Sequence, residues 1–206
     1  MAASGKVCTG FSRPFVALYK NNGETVTYSD GQELARGVSV SIEPETSDEN
    51  TFYANNVAVE TAGGVFTGGT LTLTVDGLKA EAEKLILGLP EPEPITVGGS
   101  GGTQVEVYAY GDGMAIPYVG VGFVARYMSD GVMTYSPVVL TKTRFNTPGD
   151  SAATQEDAID WQTQELTATL MRDDTAKHNW KKVGADQTSE DAAVAVIKAL
   201  LSIAGG

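Results

Sequence analysis

The sequence holds few side chains whose type and spacing could support catalysis. His178 is the only histidine and Cys8 the only cysteine among 206 residues. A Ser-His-Asp hydrolase would have to use His178, which lies at a predicted turn and is interpreted as solvent-exposed. One histidine and one cysteine cannot form a zinc site of the usual composition, and one cysteine gives no internal disulfide framework. We therefore expect no enzyme activity, no metal and no cofactor.

Carboxylates cluster at two places in the sequence. Asp173 and Asp174 lie close to His178 and could suggest a metal site, but turns collect aspartate because its side chain bonds the backbone. The second cluster consists of Glu43, Glu45, Asp48 and Glu49. Its spacing matches no EF-hand loop, so a solvated acidic segment is the favoured interpretation. The glycine-rich stretches at 63–69 and 98–102 lack the lysine and the following helix of a phosphate-binding loop.

Composition and charge exclude several function classes. The chain has 14 Lys+Arg against 26 Asp+Glu, a net charge of -12. Such a balance argues against a dedicated nucleic-acid reader and against binding to an anionic membrane surface. No stretch approaches 18 continuous apolar residues, and the first residues lack the apolar core of a secretory signal. The length suits one sizeable domain.

Alternation of apolar and polar residues predicts a mainly β fold. Val38, Val40 and Ile42 alternate with Ser39, Ser41 and Glu43, and the tract 70–75 alternates threonine with Leu71, Leu73 and Val75. Each is typical of an antiparallel strand with one buried face. Further strands are predicted at 14–20, 24–28, 104–109, 117–127, 132–145, 161–172 and 178–183. Trp161 and Trp180 lie in two of these strands, which favours core packing.

Two segments have helical patterns. Residues 78–88 contain strong helix formers with Leu78, Ala82, Leu85 and Ile86 at helical spacing, and Gly88 is a suitable stop. Residues 189–203 begin at Ser189, a good N-cap, and carry an apolar stripe. That stripe must pack either on its own sandwich or on a neighbouring subunit. The segments 44–58 and 90–102 are predicted to be long surface loops.

The order of several short motifs resembles the siphophage major tail proteins, the subunits of the tail tube. The motifs are Gly5-Lys6-Val7, Phe15-Val16-Ala17-Leu18-Tyr19, Phe52-Tyr53-Ala54-Asn55-Asn56, Val59-Glu60-Thr61-Ala62, Gly69-Thr70-Leu71-Thr72-Leu73, Pro117-Tyr118-Val119-Gly120-Val121-Gly122-Phe123, Tyr135, Lys142-Thr143-Arg144-Phe145, Trp161-Gln162-Thr163 and Trp180-Lys181. They span most of residues 5–183. The terminal helix lies outside the match, and the glycine-rich segment 98–102 looks like an insertion.

The resemblance implies a β-sandwich or partial barrel of two antiparallel sheets with one flanking helix at about 78–88. A tail-tube domain with an N-terminal arm would then occupy 1–187, and a helical extension would occupy 188–206, with its helix at about 189–203. It also implies rings of six subunits that stack into a tube for the ejection of phage DNA. Expected partners are copies of the chain, a tape measure protein inside the lumen, and tail terminator and distal tail proteins at the tube ends. The implied location is the virion tail, assembled in the host cytoplasm, with double-stranded DNA passing without specific binding.

Two sets of residues follow from joining this resemblance to the strand pattern. The residues expected to face the lumen are Ser39, Ser41, Glu43, Thr70, Thr72, Thr74, Glu165, Thr167 and Thr169. The residues expected to contact the next ring lie in the acidic loop: Asp48, Glu49, Asn50, Thr51, Phe52 and Tyr53. The alternative function is a monomeric β-sandwich binding module, such as a carbohydrate-binding or adhesin-like domain.

Overall fold

The computed structural model describes residues 5–98, 101–150, 154 and 161–203. Within these residues the chain is mainly β and antiparallel, as predicted. The strands are β1 (Val7–Asn21), β2 (Val26–Glu33), β3 (Gly37–Thr46), β4 (Asn50–Ala54), β5 (Val57–Ala62), β6 (Phe66–Val75), β7 (Glu93–Val97), β8 (Thr103–Val107), β9 (Val119–Ser129), β10 (Val132–Phe145), β11 (Gln164–Met171) and β12 (Lys181–Val183). The helices are α1 (Ala80–Leu87) and α2 (Glu190–Leu200). The ends of the predicted arm and extension, 1–4 and 204–206, lie outside the described residues.

One continuous sheet supplies both layers of the sandwich. Its strand order is β2-β1-β9-β10-β11-β6-β3, with β12 paired to β10. Most of β10 pairs with β9, and its last four residues, Lys142–Phe145, pair with β11. The strand therefore joins two halves, which we call the covered half (β2, β1, β9 and β10) and the open half (β11, β6 and β3). The two layers predicted as separate sheets are thus parts of one sheet folded over.

The main core lies between these halves. Val121, Phe123 and Leu140 from the covered half belong to the same buried cluster as Leu73 and Leu166 from the open half. Helix α1 adds further buried side chains to this cluster: Ala82, Ile86 and Leu87. It ends at Gly88, whose left-handed backbone has φ 60° and whose position leaves no room for a Cβ beside the Ala115 carbonyl.

Helix α2 packs on the outer face of the covered half. The Ser189 hydroxyl accepts a hydrogen bond from the Ala192 N–H, which confirms the predicted N-cap. Val194 and Ile197 pack with Phe15 and Val139 in a second buried cluster. The apolar stripe of the helix is therefore satisfied within the same chain. No helix in the described part of the chain has the length and apolarity needed to cross a membrane.

Candidate functional site

The open half presents a polar face to solvent. All nine side chains predicted to face a lumen lie on β3, β6 and β11, and none of them is buried. The sheet register places them in three rungs of three: Ser39, Thr74 and Glu165; Ser41, Thr72 and Thr167; Glu43, Thr70 and Thr169. The structure therefore brings these nine residues together on one surface.

Short hydroxyl side chains dominate this polar face. The Ser39 and Thr74 hydroxyls are hydrogen-bonded at 2.9 Å across the strands, and the Asn146 amide donates to the Thr167 hydroxyl at 3.0 Å. The two ionised groups of the rungs, Glu43 and Glu165, are both acidic. Neither β11 nor the sequence between Arg36 and Lys79 contains a lysine or arginine. The nine rung positions can be hydrated and offer no cation to a phosphate, and one cation borders them: exposed Arg144 of β10 pairs with Thr169 and extends the third rung.

The open half also has unpaired backbone at its margins. Among the described residues, no strand pairs with the outer edge of β3. On the other side, β11 pairs with β10 only over Ala168–Met171, which leaves the edge of its first residues free of a strand. Exposed edges of this kind are templates for pairing with another chain. Val38 lies at a bulge in β3 and is 54% exposed, so its predicted burial with Val40 is wrong.

The predicted loop 44–58 is largely regular structure. Strand β3 continues to Thr46, and β4 pairs with β5 around a two-residue turn at Asn55 and Asn56. Both turn residues have positive φ, 54° and 61°, which is the geometry of a type I′ hairpin. The prediction of an irregular loop was wrong because asparagine was not weighed as a turn former in place of glycine.

The β4–β5 hairpin exposes the residues predicted for an inter-ring contact. Phe52 and Tyr53 are 65% and 64% exposed. Asp48, Glu49 and Asn50 are exposed and Thr51 is half-buried. Sequence reasoning missed Val57 and Val59 on the returning strand, which are exposed to a similar extent.

A second projecting hairpin replaces the loop predicted at 90–102. Strands β7 and β8 pair in register from Glu93 with Val107 to Val97 with Thr103. Every residue in both strands is exposed. The second strand corresponds to the predicted strand 104–109. The first strand differs from the prediction, although Ile95 and Val97 alternate with other residues, because Pro90, Pro92 and Pro94 argue against a strand.

The carboxylates beside His178 organise a turn. Asp173 is buried, and its carboxylate accepts hydrogen bonds from the Thr175 hydroxyl and from the backbone N–H groups of Thr175 and Asn179. His178 has positive φ and lies within 3.3 Å of the Asp173 carbonyl through Nδ1. The described residues contain no group of three His, Cys, Asp or Glu side chains that could hold a metal ion. This geometry agrees with the predicted turn.

Asp174 ties this turn to the sheet. Its carboxylate accepts hydrogen bonds from the Lys142 ammonium and the Tyr19 hydroxyl, both at 2.7 Å. These bonds, that of Lys142 first, lower the pKa of Asp174. Burial is the main cause that raises the pKa of Tyr19 to about 12. The tyrosine is therefore a hydrogen-bond donor at neutral pH, and no nucleophile adjoins it in this network.

One glycine-rich segment formally fits the Gly-x-Ser-x-Gly pattern of a hydrolase nucleophile. It is 98–102, with Ser100 outside the described residues. Strand β8 follows it directly, whereas a nucleophile elbow requires a helix at that point. The segment lies between two paired strands, β7 and β8, and therefore does not occupy the strand-to-helix connection of a catalytic elbow.

The two tryptophans have different environments. Trp180 is half-buried and stacks on Phe66 with ring centroids 4.6 Å apart. Trp161 is 82% exposed and precedes β11, so its predicted core packing is wrong. The predicted strand 161–172 begins at Gln164, which leaves Trp161 outside the sheet.

No protein-family model matches the sequence, and no curated protein matches it either.

Proposed function

We propose that this chain is a structural subunit of a phage tail tube, which assembles with copies of itself into stacked rings of six around a conduit for DNA. The observation that carries this proposal is the exposed three-stranded polar face with unpaired backbone at both margins. A face of this kind in an isolated monomer leaves strand edges open to uncontrolled pairing. Closing the strands of several copies into one barrel removes those edges.

Strand arithmetic supports a wide conduit. Each copy contributes three strands to the polar face, so a ring of six contributes eighteen. Barrels of about eight strands are filled by their own side chains, whereas barrels of about 16–18 strands leave an aqueous channel. The number six comes from the family resemblance, and the three strands come from the fold.

The chemistry of the face suits passage of DNA. Affinity for a DNA duplex arises mainly from cationic side chains that displace counterions from phosphates. The nine rung positions carry hydroxyls and two carboxylates, Glu43 and Glu165, and Arg144 lies at their margin, so the face provides hydration with few such contacts. The net charge of -12 and the polar face then have different roles. The acidic side chains of the projecting segments keep the subunit soluble, whereas the hydroxyl side chains of the polar face let DNA move along it.

The β4–β5 hairpin is proposed to bridge successive rings. Phe52 and Tyr53 are large aromatic side chains exposed on a projecting strand, and aromatic side chains are frequent anchors in protein interfaces. Asp48 and Glu49 precede them in the chain, and these carboxylates would favour a contact surface on the next ring that carries basic or hydrogen-bond-donating side chains.

Size-exclusion chromatography followed by negative-stain microscopy of the purified chain tests the proposal directly. We expect rings or tubes with a central channel. A protein that stays monomeric at high concentration and low salt contradicts the proposal.

Excision of the β4–β5 hairpin separates folding from stacking. Ser47 and Gly64 are hydrogen-bonded neighbours at its base, so residues 48–63 can be replaced by a two-residue Asn-Gly turn. The variant should fold and form rings at most, without tubes. An Asn56→Gly variant, which suits the positive φ of the turn, is the matched control that keeps the hairpin and its aromatic residues. Tubes of normal length from the excised variant would contradict the role of the hairpin.

The exposed Trp161 favours one alternative function, a monomeric carbohydrate-binding or adhesin-like module. A tryptophan that is 82% exposed can stack on a sugar ring. In that case the purified chain is monomeric, and Trp161→Ala abolishes its retention on a glycan array while Trp180→Phe leaves it intact.

A further inference from the structure

An apolar groove opens where the two halves of the sheet diverge. Its volume is about 460 Å³, and its walls come from β1, β3, β9 and β10. The apolar lining includes Cys8, Phe11, Val40, Ile42, Phe123 and Tyr127. Lys181 stands at its margin and is the one charged residue of the lining. We call this the β1–β3 groove.

Unpaired backbone borders the groove on two sides. The outer edge of β3 has no partner strand among the described residues. Strand β1 pairs with β2 only from Phe15 onward, so the edge of its first residues opposite β9 is also free of a strand. An apolar groove beside free strand edges is the kind of surface that accepts a strand or hairpin from another chain.

The β7–β8 hairpin carries a surface of matching chemistry. Ile95 and Val105 are direct cross-strand partners, and Val97 and Val107 lie on the same face by the alternation of the strands. These four side chains are between 41% and 55% exposed. A two-stranded hairpin with an uncovered apolar face has little stability of its own, so a partner surface would stabilise it.

The charges of the hairpin and the groove are complementary. The sequence from 85 to 125 contains no lysine or arginine, and Glu91, Glu93 and Glu106 lie in or beside the hairpin. The groove lining contains Lys181 and no acid. Opposite charges at the rim of an apolar contact steer association and fix its register.

The β4–β5 hairpin fits the groove less well. Phe52 and Tyr53 are consecutive, so they point to opposite faces of the strand. Phe52 is also opposite Glu60 in the register, which places a carboxylate on the same face. The face of β7 and β8 also carries a carboxylate, Glu93 opposite Val107, but this lies at the end of the hairpin away from its turn, and the four aliphatic side chains of the face are contiguous.

The hairpin and the groove lie toward opposite ends of β1. Leu18 lines a depression with Gly88, Glu91 and Ala115, which precede and follow the hairpin in the chain. The groove begins at Cys8, ten residues earlier in β1, which corresponds to at most about 33 Å along a strand with two register shifts. Two different patches of one chain that complement each other make a head-to-tail contact, which propagates from copy to copy.

We propose that the apolar face of the β7–β8 hairpin of one copy docks in the β1–β3 groove of the next copy. This inference rests on the proposed function, because it requires copies of the chain to assemble. It names a contact distinct from the polar face and from the β4–β5 hairpin.

The native cysteine makes the contact measurable. Cys8 is exposed and lines the groove, so a second cysteine at Ile95→Cys should form a disulfide with Cys8 of another copy under mild oxidation. The readout is a ladder of cross-linked species in denaturing non-reducing gels, with mass spectrometry to identify the linked peptides. Thr96→Cys, on the opposite face of the same strand, is the matched control and should cross-link several-fold less. Ile95→Cys combined with Cys8→Ser should give no heterologous product.

Charge reversal supplies an independent readout. Lys181→Glu should lower the yield of the 95–8 cross-link several-fold, and Glu93→Lys in the same chain, on the same face of the hairpin as Ile95, should restore part of it. Lys182→Glu, which alternates to the other face of β12, should leave the yield unchanged.

The outcomes distinguish the contact from the proposed function. A 95–8 cross-link that depends on Lys181 supports the inference. Rings or tubes in the microscope without that cross-link overturn the inference and leave the proposed function standing. A cross-link from Phe52→Cys to Cys8 in its place overturns the inference by assigning the groove to the other hairpin. A chain that stays monomeric and uncross-linked overturns both.

Discussion

The covered half and the open half use the same sheet in different ways. Strand β9 is buried continuously from Val119 to Ala125, because the core covers one face and α2 covers the other. Strand β6 instead alternates buried leucines with exposed or half-buried threonines, since only its inner face is covered. A strand's sequence pattern therefore reports how many of its faces are packed.

The covered half is expected to contribute most of the stability, whereas the proposed function depends on the open half. The covered half contributes to two buried clusters, one on each face, whereas the open half contributes only to the main core and its outer face is polar. Four predictions test this division, ordered by the size of the expected effect on the free energy of unfolding.

Truncation of the α2 interface should have the largest effect. Ile197 is fully buried against the covered half, so Ile197→Ala should lower the free energy of unfolding by about 2–5 kcal/mol. Ala199→Ser, on the exposed side of the same helix, is the control and should change it by less than about 0.5 kcal/mol. Urea unfolding followed by circular dichroism measures both. An Ile197→Ala variant as stable as the wild type would mean that the packing of α2 on the covered half does not stabilise the fold.

Adding a side-chain atom where β9 packs closely against α2 should have the next largest effect on the free energy of unfolding. A Cβ on Gly122 would lie 2.4 Å from the Ile197 Cγ2 atom, so Gly122→Ala should cost about 1–3 kcal/mol. Combined with Ile197→Ala, the loss should be smaller than the sum of the single losses, because the shorter side chain makes room. Gly111→Ala, which meets no atom within 4 Å, should be silent. Strict additivity in a thermal melt series would refute this close packing.

The same substitution in the two halves gives a matched comparison. Thr143 is buried and donates to the Val119 carbonyl at 3.0 Å, so Thr143→Val should cost about 1 kcal/mol. Thr72, on the polar face, should tolerate valine within about 0.5 kcal/mol. Chemical denaturation of the two variants side by side is the measurement. A larger loss at Thr72 would show that the polar face is a packed surface of the monomer.

Removal of a charged hydrogen-bonding group at the margin of the covered half should have the smallest effect on the free energy of unfolding. The Ser136 hydroxyl and the Lys6 ammonium donate to the Asp186 carboxylate, the latter at 2.9 Å, and both hold its pKa below the usual 3.8. A lowered pKa stabilises the folded state above pH 3.8, and this contribution is lost as the pH falls through the folded-state pKa. Asp186→Asn should therefore cost at most about 1 kcal/mol at pH 7, and the difference from the wild type should shrink below pH 4.

The control for this pH dependence lies in the open half. Glu165→Gln makes the same carboxyl-to-amide change on the exposed face and should leave the stability unchanged at pH 7. Unfolding curves at pH 7 and at about pH 2, below the lowered pKa of Asp186, separate the two variants. A deficit in the Asp186→Asn variant that persists at the lower pH would show that the pair acts through packing.

Periodicity predicted the strands and helices well, but it missed the hairpins. The alternation at 38–43 and 70–75 predicted β3 and β6, and Ser189 predicted the start of α2. The segments 44–58 and 90–102 were interpreted as loops, because a short exposed hairpin has no buried face to impose a pattern. The predicted core packing of Trp161 depends on a strand that starts at 161, whereas β11 starts three residues later.

Of the candidate site, the sequence specified the residues but not their arrangement. The alternation of β3, β6 and β11 separates an apolar from a polar face within each strand, because successive side chains point to opposite sides. That Ser41, Thr72 and Thr167 form one rung depends on the register between strands far apart in the sequence. The register is set by burial of Leu73, Ile42 and Ala168 on the opposite face, so it arises only when the sheet closes on the core.

The sequence by itself determined the mainly β character, both helices and the polar side chains of the open half. Local alternation and end signals are sufficient for these features, since they depend on residues near each other in the chain. Only the tertiary structure decided that the two layers are one folded sheet, that α2 covers β9 and that two hairpins project. Each of these depends on contacts between distant segments, where the free energy of burial outweighs local preference.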